Sequence, residues 1–264
     1  MDKKDDIFEL VKSLTANEKR FFQLFSKLRK GDKNYMKVFL LMDKMKVYDG
    51  KKINNRFPKS GVNISSEKKY LQKQIMKSLR IFHSENSSEL IVNSLLQDIE
   101  ILLNHRQFAA AAECIEKVKT LTLELDLFQQ FLVAVKWESR LALRKGDYKY
   151  LETQSNAIYK KEEEVIEQLL NLSAYRNLNN QVFAMFNRTG NLKEKQKTLE
   201  LNKLLKNPLL QDARKAKSFL AKSHFHQSRH LSMIQKNDFE SAYKEQKNNT
   251  TLFERDKLKI THFT

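Results

Sequence analysis

A turn that recurs along the chain constrains its fold more than any other feature. Leu143-Arg-Lys-Gly-Asp-Tyr148 has counterparts in Leu103-Asn-His-Arg-Gln-Phe108, Asn187-Arg-Thr-Gly-Asn-Leu192 and Ile234-Gln-Lys-Asn-Asp-Phe239. Aligned on the last apolar residue, at 108, 148, 192 and 239, the copies are 40, 44 and 47 residues apart. Two positions earlier stand Gly146, Gly190 and Asn237, residue types that readily take the left-handed conformation ending a helix. One position earlier stand Asp147, Asn191 and Asp238, whose side chains can accept the free N–H groups opening the next helix. Each copy reads as stop, turn, start. The first, with Arg106 and Gln107 at those positions, is the degenerate one. A period of this length built on helix hairpins predicts an α-solenoid.

Composition agrees. Five Gly and two Pro are too few punctuators for a fold of many tight turns. A hydrophobic content of 41% excludes a disordered chain, and 31% charge suits long amphipathic helices. The fold class is therefore all-α. The longest apolar run, Val38 to Met42, is too short to span a bilayer, so no membrane is expected. The charged start Met1-Asp-Lys-Lys-Asp-Asp6 leads into no apolar segment, which points to the cytoplasm. The single cysteine, Cys114, rules out an intramolecular disulfide and a multi-thiolate metal site, and its alanine-rich setting suits a small packed residue.

The net charge of +17 is unevenly distributed. Residues 1–87 hold 21 basic and 10 acidic side chains, and residues 88–264 hold 28 and 22. The first third is therefore a basic helical head. A helix over 5–14 leads to a capping box at Thr15-Ala-Asn-Glu18 and a stripe of Phe21, Phe22, Phe25 and Leu28. Gly31-Asp32 ends that helix, and the next presents Tyr35, Val38, Phe39, Met42 and Met45. After a loop through Pro58, Ser65 or Ser66 caps a helix to about His83. Its outer side carries Lys69, Lys73, Lys77 and Arg80, with Gln72 between as the one base-reading side chain. Short helices ending in a basic one have the size of a helix-turn-helix domain, so nucleic acid is the alternative partner. A solvated helix back explains the same pattern.

From 88 onward the hairpins are expected at about 88–126, 127–170, 171–208 and 209–258, continuing past 264, because no polar closing helix covers the last apolar face. The first helix of each pair usually lines the binding face of a solenoid. Here it offers Asn93, Gln97, Lys136, Arg140, Asn179, Asn180, Gln227 and Arg229, amides and cations that suit an extended peptide or an acidic segment.

Chemistry beyond binding is thinly signalled. His226 and His230 stand i, i+4 on one helix, the spacing of paired imidazole ligands, but no carboxylate or thiolate accompanies them in that helix. No cofactor or metal is expected, and these two remain weak metal candidates. There is no phosphate loop, nucleophile elbow or Cys/His constellation, so the chain reads as a non-enzymatic protein- or peptide-binding scaffold.

Two resemblances add to this. Trp137, Leu141 and Lys145-Gly-Asp-Tyr148 resemble the aromatic, Leu and turn positions of tetratricopeptide-type (TPR) repeats, though the repeats are longer than 34 residues and the signature alanines are mostly missing beyond Ala112 and Ala242. The resemblance implies a short helical head followed by antiparallel helix hairpins stacked as a TPR-like α-solenoid. The head, through Ser13 to Phe22, Gly31 to Tyr35, Lys69-Tyr-Leu71 and Lys77-Ser-Leu-Arg80, is similar to an uncharacterised Bacteroidota family of cytoplasmic helical-repeat proteins. That family implies an architecture and no activity.

Overall fold

The computed structural model describes residues 5–28, 34–57, 63–187 and 194–255. Among them are twelve α-helices and two short 3-10 turns, with no strand. Among the same residues no helix is long and apolar enough to cross a membrane. The chain divides into two compact units, Met1–Asn86 and Ser87–Thr264.

The first unit contains α1 (Asp6–Ser13), α2 (Ala16–Lys27), α3 (Asn34–Lys44), α4 (Gly50–Asn55) and α5 (Ile64–Phe82). The capping box forms as the spacing predicts: Thr15 N–H donates to Glu18 Oε2 at 2.7 Å, and Glu18 N–H donates to Thr15 Oγ1. That carboxylate also receives His83 Nε2 at 2.7 Å, tying the end of α5 to the start of α2. The aromatic stripe of α2 is only partly a core face. Phe22 is buried edge-on against Phe39 and Phe21 meets Phe82, whereas Leu28 is 84% exposed at the helix end. The cap of α5 is Asn63, not Ser65 or Ser66. Its side chain accepts Ser66 N–H from an extended backbone, and both serines already lie inside the first turn. Lys68 donates to Asp5 and to Tyr48 Oη, each at 2.6 Å. Burial pushes the Asp5 carboxyl up, but bonds from Lys68 and Phe8 N–H outweigh it and hold it below its usual range. The expected turn at Gly31-Asp32 and the loop at 58–62 lie outside the described residues.

The second unit runs α6 (Ser88–Asn104), α7 (Phe108–Glu124), α8 (Phe128–Lys145), α9 (Tyr148–Phe186), α10 (Glu194–Leu205), α11 (Phe219–Gln235) and α12 (Phe239–Arg255). Each of α6 to α8 packs on the next helix, and α6 also touches α8. The helix α9 then packs against α10 and α11, and α11 against α12. Ser87 caps α6, its side chain accepting Leu90 N–H.

The turns share one geometry. Arg106, Gly146 and Asn237 have φ of 56°, 70° and 59°. In each, the next residue donates its N–H five residues back: Gln107 to Leu102 O, Asp147 to Ala142 O, Asp238 to Met233 O. Arg106, Gly146 and Asn237 themselves donate three residues back, which together is the Schellman helix stop. Arg106 thus fulfils at some strain what Gly does freely, so the degenerate copy is degenerate in sequence only. A further copy escaped the alignment. Asp126 has φ 55° and Leu127 N–H donates to Thr122 O, so left-handed residues stand at 106, 126 and 146 and close each helix in turn. Gly190 lies outside the described residues.

The expected break near 170 does not occur. The helix α9 is continuous over 39 residues, with no Gly or Pro in it to stop it. Asn171, read as a helix start, instead secures a connection. Its Nδ2 donates to Lys215 O and its Oδ1 accepts Lys217 N–H. That connection is made of 3-10 turns at Pro208–Leu210 and Ala213–Lys215, so α11 begins at Phe219 rather than near 211. One core gathers Phe131, Val135, Val165, Tyr175 and Phe225, and another Ile99, Leu103, Ile115, Val118 and Leu141. The buried stripe of α11 is Ala221, Phe225, Ser228 and Ser232. Small hydroxyls suit a helix gripped by two neighbours, and Ser228 and Ser232 return their protons to carbonyls one turn back.

Candidate functional site

Three surfaces and one cavity hold the polar chemistry. On α5, Lys69, Gln72, Lys73 and Arg80 are exposed and Lys77 is half-buried, while Leu71, Gln74, Ile75 and Ser78 hold the opposite side in the core. None of the four cations joins an ion pair among the described residues. Met76, 41% exposed, stands among them.

The residues expected to bind a partner separate into two groups. On α6 and α8, Asn93, Gln97, Lys136 and Arg140 are all exposed. Helical spacing interleaves them with Leu90, Ile101, Val133 and Leu143, which are 41–56% exposed. The two helices are joined at both rims, by Gln130 Nε2 to Glu89 Oε1 at 3.3 Å and Arg144 Nη1 to Asn104 Oδ1 at 3.1 Å. Arg140 lies over the Trp137 ring with its guanidinium carbon 4.7 Å from the centroid, which holds the cation in place.

Of the remaining four, only Asn180 is exposed. Asn179 donates to Gln227 Oε1 and contacts His224 Nδ1, and it accepts from Ser228 Oγ. Arg229 donates from Nε to Glu245 Oε1 at 2.5 Å and from Nη1 to Leu210 O. Asn179, Gln227 and Arg229 are therefore half-buried and engaged in packing α9, α11 and α12. Glu245 also receives His226 Nδ1 at 2.7 Å, and His230 Nδ1 donates to Ala242 O at 2.9 Å. Burial raises the Glu245 carboxyl, but His226 and Arg229 bring it below the ordinary glutamate range. Burial pushes the His224 imidazole down.

Sequence reasoning missed the polar cluster at the head of α9. Glu138 receives Tyr150 Oη at 2.5 Å and Lys119 Nζ at 3.0 Å, and Lys119 also reaches Glu116. Burial and then the Glu138 carboxylate push the Tyr150 phenol far above its usual range. Burial alone would depress Lys119, but its two carboxylate partners raise it. A cavity of about 210 Å³ opens beside this cluster, floored by Ala112, Ile115, Leu141 and Ala142. The signal was present: Glu138 falls in the apolar period of Phe131, Ala134, Val135, Leu141 and Ala142, where a carboxylate demands a partner. Both oxygens of Glu138 are occupied, so the cluster holds α7, α8 and α9 together and presents no free general base.

Cys114 is half-buried, with its thiol donating to Leu95 O and pushed up by burial and by Asp98. Among the described residues no group of three or more His, Cys, Asp or Glu side chains is placed to hold a metal ion. No family model, curated protein or solved structure matches the chain.

Proposed function

We propose that the chain is a non-enzymatic helical-repeat scaffold whose α6/α8 face captures an extended, acidic segment of a partner protein. The observation that carries this reading is the face itself. Four exposed apolar side chains alternate with two amides and two cations, and the polar atoms of Asn93, Gln97 and Lys136 have no partner among the described residues. An extended peptide presents main-chain groups that amides satisfy and alternate side chains that apolar positions receive. Lys136 and Arg140 favour carboxylates on that peptide, Arg140 through its planar fork. The TPR-like turn spacing fits such a role. Selection of a peptide display library against the intact chain tests it. Acidic sequences with spaced apolar residues should emerge, and Lys136→Glu with Arg140→Glu should abolish their binding without altering helix content. Selection of basic or featureless sequences removes the reading.

One observation favours a second reading. The cations of α5, which form no ion pair among the described residues, with Gln72 among them, suit a phosphate backbone, which would make the first unit a nucleic-acid-binding head. Fluorescence anisotropy on duplex DNA decides it. Binding should fall steeply with salt and vanish in the variant carrying Lys69→Glu, Lys73→Glu and Lys77→Glu; no binding at low salt excludes it.

A further inference from the structure

We infer that His226 and His230 form a two-imidazole chelate for a divalent transition-metal ion. The two residues are one turn apart on α11 and belong to the same face. Both rings turn their Nδ1 edges toward α12, and their partners there, Glu245 and Ala242, are themselves one turn apart. A carbonyl oxygen only accepts, so His230 carries its proton on Nδ1. The Glu245 carboxylate stands 2.7 Å from His226 Nδ1 as acceptor, so His226 donates from Nδ1 as well. With Nδ1 facing α12, each ring turns its Nε2 edge to the side away from α12, where a metal ion can displace any proton it carries. This is the arrangement found behind metal-binding histidines, where a carboxylate or carbonyl takes the other ring N–H and fixes tautomer and direction.

The Nε2 atoms are free to bind. Neither has a hydrogen-bond partner among the described residues. Buried polar atoms without a partner occur elsewhere, as at Gln74 Oε1 and Asn249 Oδ1, but these two nitrogens are not among them and so reach solvent. Arg229 is the nearest cation on the same helix, and its charge is offset by Glu245. No third ligating side chain joins the pair among the described residues, so water or a ligand from a partner completes the coordination. Two imidazoles without thiolate or carboxylate favour Cu²⁺ most, with Ni²⁺ and Zn²⁺ weaker.

The test is titration of the tag-free chain with Cu²⁺, Ni²⁺ and Zn²⁺, followed by calorimetry, with the Cu²⁺ species read by electron paramagnetic resonance. One ion per chain is expected, with coupling to two imidazole nitrogens. His230→Gln should weaken binding at least tenfold and leave coupling to one nitrogen. Glu245→Gln, which keeps both ligands but loosens the His226 ring, should weaken it by about 10–100-fold. His105→Gln, at the exposed end of α6, should change nothing. Unchanged affinity in a folded His230→Gln variant, or no saturable binding up to millimolar metal, overturns the inference.

Discussion

Asp126 joins the turn between α7 and α8 to the start of α11, and replacing it separates two physical effects. The residue is 8% exposed and holds φ 55°. Its Oδ2 accepts Leu220 N–H at 2.8 Å, one of the open donors at the head of α11, beside the cap bond from Ala221 N–H to Ser218. Asp126→Ala removes an acceptor from a half-buried N–H, a loss of about 1–3 kcal/mol. It also puts a residue less tolerant of the left-handed region at this φ, adding about 1 kcal/mol. The negative charge at the helix N-terminus contributes roughly 0.3–1 kcal/mol more. A total of about 2–5 kcal/mol is expected for Asp126→Ala. Asp126→Gly loses the side chain as Ala does but keeps the conformation, so it should cost about 1 kcal/mol less than Ala. Asp126→Asn keeps both the conformation and an acceptor and should cost under about 1 kcal/mol. Urea unfolding followed by circular dichroism measures all three. If Ala, Gly and Asn variants unfold at the wild-type midpoint, the turn does not hold α11 and the reasoning fails.

Other consequences follow from named contacts. Tyr150→Phe removes one donor from Glu138 and should cost about 1 kcal/mol. Lys119→Met takes the cation from a carboxylate whose side chain is 11% exposed and should cost about 2–4 kcal/mol, read by urea unfolding. Gly146→Ala meets no atom within 4 Å of its new Cβ, so only backbone strain opposes it, and a loss near 1 kcal/mol is expected. Arg106→Gly relieves the same strain, and its thermal midpoint should equal or slightly exceed that of the parent. Acid should act in two steps. Burial holds His224 below 6.5, so between its folded and unfolded values the unfolded chain binds a proton that the folded one does not, and stability falls as pH drops below about 6.5. His226 and Arg229 hold Glu245 below the ordinary glutamate range, so its contribution is complete above that range and is lost as pH falls through the lower, folded value. His224→Gln should abolish the upper step of a urea-midpoint profile and leave the lower.

The fold was legible because its signals are local. The capping box at Thr15 and Glu18, the stop at Gly146 and the helix start at Asp147 act within a few residues, and the structure uses them as their chemistry dictates. The break expected near Asn171 failed because an Asn can cap a helix or bind a distant backbone, and only the folded chain brings residues 215 and 217 to it. The expected boundary at 126/127 put a turn at Asp126, but its neighbours do not repeat the recurrent motif, and its bond to Leu220, 94 residues away, exists only in the folded chain. The same holds for the surfaces. Spacing placed Asn93, Gln97, Lys136 and Arg140 on exposed faces, but it could not show that Asn179, Gln227 and Arg229 are consumed by α11 and α12. Glu245, which engages both His226 and Arg229, lies on the helix after them, where a search within one helix does not reach.

The most direct measurement is amide hydrogen exchange of the intact chain with and without an acidic, apolar-spaced peptide drawn from the selection. Protection is expected along Ser88–Asn104 and Phe128–Lys145, and it should be lost when Lys136→Glu and Arg140→Glu are combined. Protection confined to Ile64–Phe82, or to the α11/α12 pair, contradicts the assignment of the binding face to α6 and α8.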